Sequence, residues 1–126
     1  VYKIFSIECT GDACVGDRVR FSKTTWSGRY PNARRAGSEV IVGLIVKDSY
    51  GADKQQHTFT ILRHDTNEKI RIKGRNLYRA GCYREPWRDE YNGYSPTRAA
   101  ALEEKHARGD AARADRAARR DQEGWY

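Results

Sequence analysis

Residues 69–88, KIRIKGRNLYRAGCYREPWR, hold Lys69, Arg71, Lys73, Arg75, Arg79, Arg84 and Arg88 against a single acid, Glu85. The segment therefore contributes +6 of a formal net charge of +7 for the whole chain. Ammonium and guanidinium groups at this density neutralise phosphates and release their counterions. The interleaved Tyr78, Tyr83 and Trp87 offer faces on which bases stack. The chemistry is that of binding a polyanion, with Lys69, Arg71, Lys73 and Arg75 along a phosphate backbone and Arg79 and Arg84 in support. Gly74 would allow close backbone approach. The plainer reading is an edge strand protected from aggregation by its positive charge, with the aromatics packing one end of a barrel. The scarcity of acids over twenty residues favours binding.

Three other clusters invite a chemical reading. Asp48-Ser-Tyr-Gly-Ala-Asp-Lys-Gln-Gln-His57 collects carboxylates, a serine, a lysine and a histidine within ten residues. His57 could serve as a general base oriented by Asp48 or Asp53. No nucleophile elbow, phosphate loop or metal-binding pair surrounds them, so the segment reads more simply as a turn at Gly51. Gln55 and Gln56 would bond neighbouring strands or contact base edges. Cys9 and Cys14, with Cys82 and His57 or His64, could ligate zinc. Their spacing sits at the loose edge of a knuckle and lacks a second close pair, so they read as small buried hydrophobes. Trp26, Tyr30, Arg34 and Arg35 form a candidate second contact arm, or Trp26 covers the open end of a barrel. The expectation is a non-enzymatic protein with no catalytic residues, no metal and no cofactor.

The elements that must position these residues follow from periodicity. In KIRIK, Lys69, Arg71 and Lys73 point one way and Ile70 and Ile72 the other, the period of a strand. Residues 1–9 alternate imperfectly and read as a strand that Thr10-Gly11-Asp12 ends. Residues 15–21 place Val15, Val19 and Phe21 on one face. Residues 22–38, rich in Ser, Thr, Gly, Pro and Arg, read as a long loop. Glu39–Asp48 is apolar on both faces and reads as a central strand, with Gly43 marking a bulge or bend. In Gln56–Arg63, His57, Phe59 and Ile61 oppose Thr58, Thr60 and Leu62, and Asp65-Thr-Asn-Glu68 turns back to the basic strand. Ser95-Pro96 starts a helix, Ser as cap and Pro at the first position, that runs to about Gln122. Leu102 is its only large aliphatic side chain. The helix is thus expected to project, to dock by its first turns only, or to meet a protein partner. Gly109 is expected to weaken it by about 1 kcal/mol relative to Ala.

The fold class expected is mainly β: a small SH3-like five-stranded barrel, of the KOW or Tudor kind, or a curled antiparallel sheet, followed by a long C-terminal α-helix. The divisions are residues 1–88 for the β domain, 89–95 for a connector, 96–122 for the helix and 123–126 for a tail. At 126 residues, 38% hydrophobic and 33% charged, the chain suits one domain with a modest core. No apolar run approaches the ~18 residues that cross a membrane. The first residues are too polar for a signal peptide. Three cysteines make no disulfide framework and favour a reducing compartment. The absence of Met at position 1 suggests a piece of a longer chain.

Four strings in this order, IFSIECTGDAC, VGLIVKDSYGADKQQHTFTI, KGRNLYR and EKHARGDAARADRAAR, resemble a largely uncharacterised region of plant nuclear proteins that also carry SAP and CCCH zinc-finger modules. The resemblance covers Ile4 to about Arg120 and implies a nuclear setting with DNA or RNA partners. It transfers no catalytic residue. The Asp65–Glu68 loop is shorter than that family's, and neither companion module is present here. The leading expectation is a nucleic-acid-binding module of low sequence specificity, and the alternative is an adaptor docking an acidic protein partner through the sheet or the helix.

Overall fold

The computed structural model describes residues 5–29, 31–50 and 57–122. Six strands and two helices follow one another as β1 (Ile7–Glu8), β2 (Arg18–Ser27), β3 (Arg34–Tyr50), β4 (His57–Arg63), β5 (Lys69–Lys73), α1 (Gly74–Tyr78), β6 (Cys82–Arg84) and α2 (Pro96–Gln122). The strands form one antiparallel sheet in the order β1-β6-β2-β3-β4-β5. The chain is mainly β, as its periodicities indicate, but the sheet has six strands rather than five and does not close. The sixth strand is β6, which the basic and aromatic run around Cys82 disguises. It slots between β1 and β2, pairing Tyr83 with Glu8 on one side and with Arg20 on the other.

The helix α1 touches β2, β4 and β5. β2 and β5 are separated in the sheet by β3 and β4, so a five-residue helix can reach both only because the sheet curves strongly. Leu77 of α1 is fully buried, as are Phe59, Ile41, Ile45, Ile61 and Val19 from the concave face. The core thus lies inside the curl, with α1 spanning the opening between β5 and β2.

The segment 22–38 is not a long loop. β2 and β3 continue as a two-stranded ribbon in which Lys23 faces Glu39, Trp26 faces Arg35 and Ser27 faces Arg34. Thr24, Thr25 and Trp26 suit a strand, and Gly28 adopts φ +84° where the ribbon turns. Composition alone concealed this because, apart from Trp26, the ribbon is polar on both faces.

Gly43 is not a bulge. A Cβ there would lie 2.6 Å from both Ile61 Cγ2 and the Leu62 carbonyl oxygen, so the position is empty because β4 passes close by. The bulge falls at Val46, between Ile45 and Lys47 in the β3–β4 register. Without it, strict alternation would turn Lys47 inward. With it, Lys47 stays exposed and Asp48 is buried.

The helix begins where Ser95-Pro96 indicates. Ser95 Oγ accepts the Arg98 N–H at 3.1 Å, and Asp89 accepts the Ser95 hydroxyl at 2.5 Å and the Thr97 N–H at 3.0 Å. From there α2 docks by charge rather than by an apolar face. Arg98 donates from Nε and Nη2 to the two oxygens of Asp17, each at 2.9 Å. Lys105 Nζ donates to the Ala13 carbonyl at 2.7 Å and lies 5.7 Å from the Phe59 ring centroid. Arg108 donates to Asp48 at 2.5 Å. Gly109 rests on Tyr50, where a Cβ would come within 3.1 Å of Oη, so this glycine is a docking point rather than a flaw.

These contacts make docking sensitive to acid. Hydrogen bonds from Ser95 and Thr97 pull the Asp89 carboxyl down to about 2. Burial pushes the Asp48 carboxyl up, but His57 and Arg108 outweigh it and hold it below its usual 3.8. The Arg84 hydrogen bond holds Glu90 below its usual 4.5. Groups depressed by folding stabilise the folded state above their unfolded values and cease to do so as pH falls through the folded ones. The helix is therefore expected to release between about pH 3.8 and 2. Far-UV circular dichroism and tryptophan emission followed through an acid titration would show it, and an unchanged spectrum at pH 2 would contradict it.

Candidate functional site

β5 exposes Lys69, Arg71 and Lys73 and turns Ile70 and Ile72 toward the core. α1 continues directly from it and leaves Arg75 and Arg79 exposed while Leu77 is buried. The curl of the sheet brings this basic run opposite the root of the β2–β3 ribbon. Between them lies a recess of about 470 Å³. Among the described residues its lining includes six cations, Lys23, Arg35, Arg71, Lys73, Arg75 and Arg79, and no carboxylate. Ile72, Ala80 and Trp26 supply apolar surface, and Asn76, Ser22, Thr24 and Ser38 supply uncharged polar groups. Trp26 is 60% exposed at this recess.

Among the described residues, none of the six cations forms an ion pair. Glu39 faces Lys23 in the register, yet its carboxylate accepts from Arg63 at 2.8 Å instead. Arg63 also holds Asp65, so the acids nearest the turn are bound to a cation outside the recess. Among the described residues the result is a concave surface of one sign.

The other residues picked from the sequence are placed elsewhere. Arg84 is 6% exposed and pairs with Glu90 at 2.7 Å. It lies opposite Val19 in the β2–β6 register, which turns it inward. Trp87 donates from Nε1 to Asp17 at 2.7 Å, and its ring covers Gly16, where a Cβ would come within 2.5 Å. Tyr78 accepts the Ala13 N–H at 3.2 Å and packs edge-on to Phe59, and burial pushes its hydroxyl pKa up. These three side chains hold the fold together and do not reach the recess. Tyr83 sits on the convex face with the Arg20 guanidinium 5.6 Å from its ring centroid. Lys69 shares the face of Arg71 and Lys73 but lies outside the recess, as does Arg34 farther along the ribbon. Tyr30 lies outside the described residues. Lys23 and Asn76 line the recess without having been singled out. A strand assignment for residues 22–27 would have revealed Lys23.

The Asp48 and His57 cluster is an anchor for α2. Asp48 lies between His57 Nε2 at 3.5 Å and Arg108 at 2.5 Å, and Tyr50 stacks on the His57 ring. Asp53, the other carboxylate considered, lies outside the described residues. Cys9 and Cys82 are buried with their sulfurs 3.4 Å apart, and Cys14 is buried beside Asp17, where burial and the Asp17 charge push its thiol up to about 12. Among the described residues, no group of His, Cys, Asp and Glu could hold a metal ion. No helix among them is long and apolar enough to cross a membrane.

The profile described as "Domain of unknown function (DUF7699)" matches residues 9–87, from the buried Cys9 to the Trp87 that covers Gly16. The chain belongs to this family. The DUF7699 match takes in the sheet from β2 to β6, α1 and every residue lining the recess, and it stops short of α2. The chain is also 40% identical over 128 residues to "Zinc finger CCCH domain-containing protein 62" of Oryza sativa subsp. japonica. That similarity covers 91% of this chain and 18% of the relative's length. No solved structure matches the chain.

Proposed function

We propose that this DUF7699 domain is a non-enzymatic nucleic-acid-binding module, and that the recess between β5–α1 and the β2–β3 ribbon is its binding surface. The observation behind this reading is a set of six cations around one recess, none of them ion-paired among the described residues, beside an exposed tryptophan. Holding like charges together without counterions opposes folding, and a polyanion removes that opposition. Arg71, Lys73, Arg75 and Arg79 would neutralise phosphates from one wall, and Lys23 and Arg35 from the other. The relative's printed name, a CCCH zinc-finger protein, supports the same reading. Within a longer chain, a basic module tethered to other binding domains raises their effective concentration on one strand. A nuclear location belongs to this proposal.

The test is fluorescence anisotropy with labelled oligonucleotides across salt. Engagement of about four phosphates gives a log–log slope of affinity on salt near −3 to −4, an affinity loss of at least about fifty-fold between roughly 50 and 200 mM. Absence of binding at the lowest salt would overturn the reading. Salt-dependent binding of an acidic peptide in its place would establish the adaptor function.

A further inference from the structure

We infer that the recess takes single-stranded rather than duplex nucleic acid, with one base seated against Trp26. This rests on the nucleic-acid reading above and adds the form of the ligand.

Concavity is the first reason. The cations stand on two walls that face each other across about 470 Å³. That is the scale of pockets that enclose a small organic group. A duplex presents its phosphates on a broad convex cylinder and keeps its bases stacked inside. Proteins reach those bases by sending a helix or ribbon into a major groove about 12 Å wide. A duplex resting here would meet the rim cations and leave the interior of the recess empty. A single strand could pass between the walls with phosphates near both.

The lining is the second reason. A site for phosphate alone needs only donors and charge. This one adds Ile72 and Ala80, the half-buried Asn76 and a mostly exposed Trp26. An aromatic face beside apolar surface suits the flat ring of an unstacked base, and amide and hydroxyl groups suit its polar edge. Among the described residues Trp26 is the one tryptophan that makes no anchoring contact inside the fold. Trp87, by contrast, is held by Asp17. An exposed ring on a paired ribbon is preorganised for stacking and loses little freedom when a base arrives.

The experiment uses the full chain and labelled strands of about 12 nucleotides, within the usual span of single-strand sites. Four probes are compared: single-stranded RNA, single-stranded DNA of the same sequence, the DNA duplex, and an abasic strand with the same phosphates. The single strands are expected to bind at least about tenfold tighter than the duplex or the abasic strand. Trp26→Ala is expected to weaken single-strand binding by about tenfold, to leave the salt slope intact and to leave abasic binding unchanged. Trp26→Phe restores most of the loss. Because the side chain is exposed, a thermal melt of each variant should match the parent. RNA and DNA binding in either order supports the inference. Equal or tighter duplex binding with the salt slope preserved overturns it and leaves the nucleic-acid reading standing, as does an abasic strand that binds like the intact one. No binding to any probe overturns both.

Discussion

Asp17→Ala should lower the unfolding free energy by about 3–5 kcal/mol, among the largest losses a single substitution can cause. Asp17 is fully buried and accepts from Cys14 N–H at 3.0 Å, Trp87 Nε1 at 2.7 Å and Arg98 Nε and Nη2 at 2.9 Å. Its removal leaves a buried guanidinium without its counter-charge and an indole N–H without its acceptor. Burial alone lowers the Arg98 pKa and the Asp17 hydrogen bonds raise it; without Asp17 the guanidinium still stays charged, because its intrinsic basicity lies far above neutral pH. Urea denaturation would read the loss as a midpoint shift of more than about 1 M. Since a domain of this size has only about 5–15 kcal/mol to lose, Asp17→Asn provides a milder companion that keeps the volume. Adding Arg98→Met to Asp17→Ala should recover part of the loss, because the orphaned charge is then absent. If Asp17→Ala melts like the parent, this carboxylate does not join α2 to the sheet.

Replacing Arg71, Lys73, Arg75 and Arg79 together by alanine should lower oligonucleotide affinity at low salt by on the order of 10²–10³. The same variant should flatten the salt slope to near zero, because each lost phosphate contact removes about one unit. All four side chains are exposed, and Ile72 and Leu77, which hold this region to the core, are untouched. The melting temperature should therefore not fall, and relief of the charge repulsion should raise it slightly. A control variant lacking two cations distant from the recess, Arg113 and Arg119 in the distal half of α2, separates site from net charge. It should bind like the parent if the recess is the site. If both variants lose affinity in proportion to charge removed, the positive charge acts without an address.

The basic strand and the helix start were legible because their signals are local. Lys69 to Lys73 alternate with isoleucines over five residues, and Ser95-Pro96 combines a cap with a favoured first position. What was not legible depends on distant partners. The ribbon exists because Thr24–Ser27 and Arg34–Ser38 pair with each other, and apart from Trp26 nothing apolar marks either face. Arg84 and Trp87 looked like extensions of the cationic run because they follow it in sequence. In space, β6 turns Arg84 toward Glu90, and Asp17, seventy residues upstream of Trp87, takes the indole. The docking of α2 was obscured for a related reason. Arg98, Lys105 and Arg108 lie on one side of the helix, but charged residues at such spacing usually face water. Only the buried carboxylates and carbonyl opposite them show that they are anchors.

The placement of β6 between β1 and β2 bears on how the chain acquires its shape as it is made. The hairpins from β2 through β5 can zip up from neighbouring segments soon after synthesis. β1 has nothing to pair with until Cys82–Arg84 arrives, some seventy residues later. At about 5–20 residues per second, that leaves the outer edge of β2 uncovered for several seconds. A message truncated just before Cys82 would yield a product with one open sheet border and one orphan strand, a substrate for chaperones or for pairing with another nascent copy.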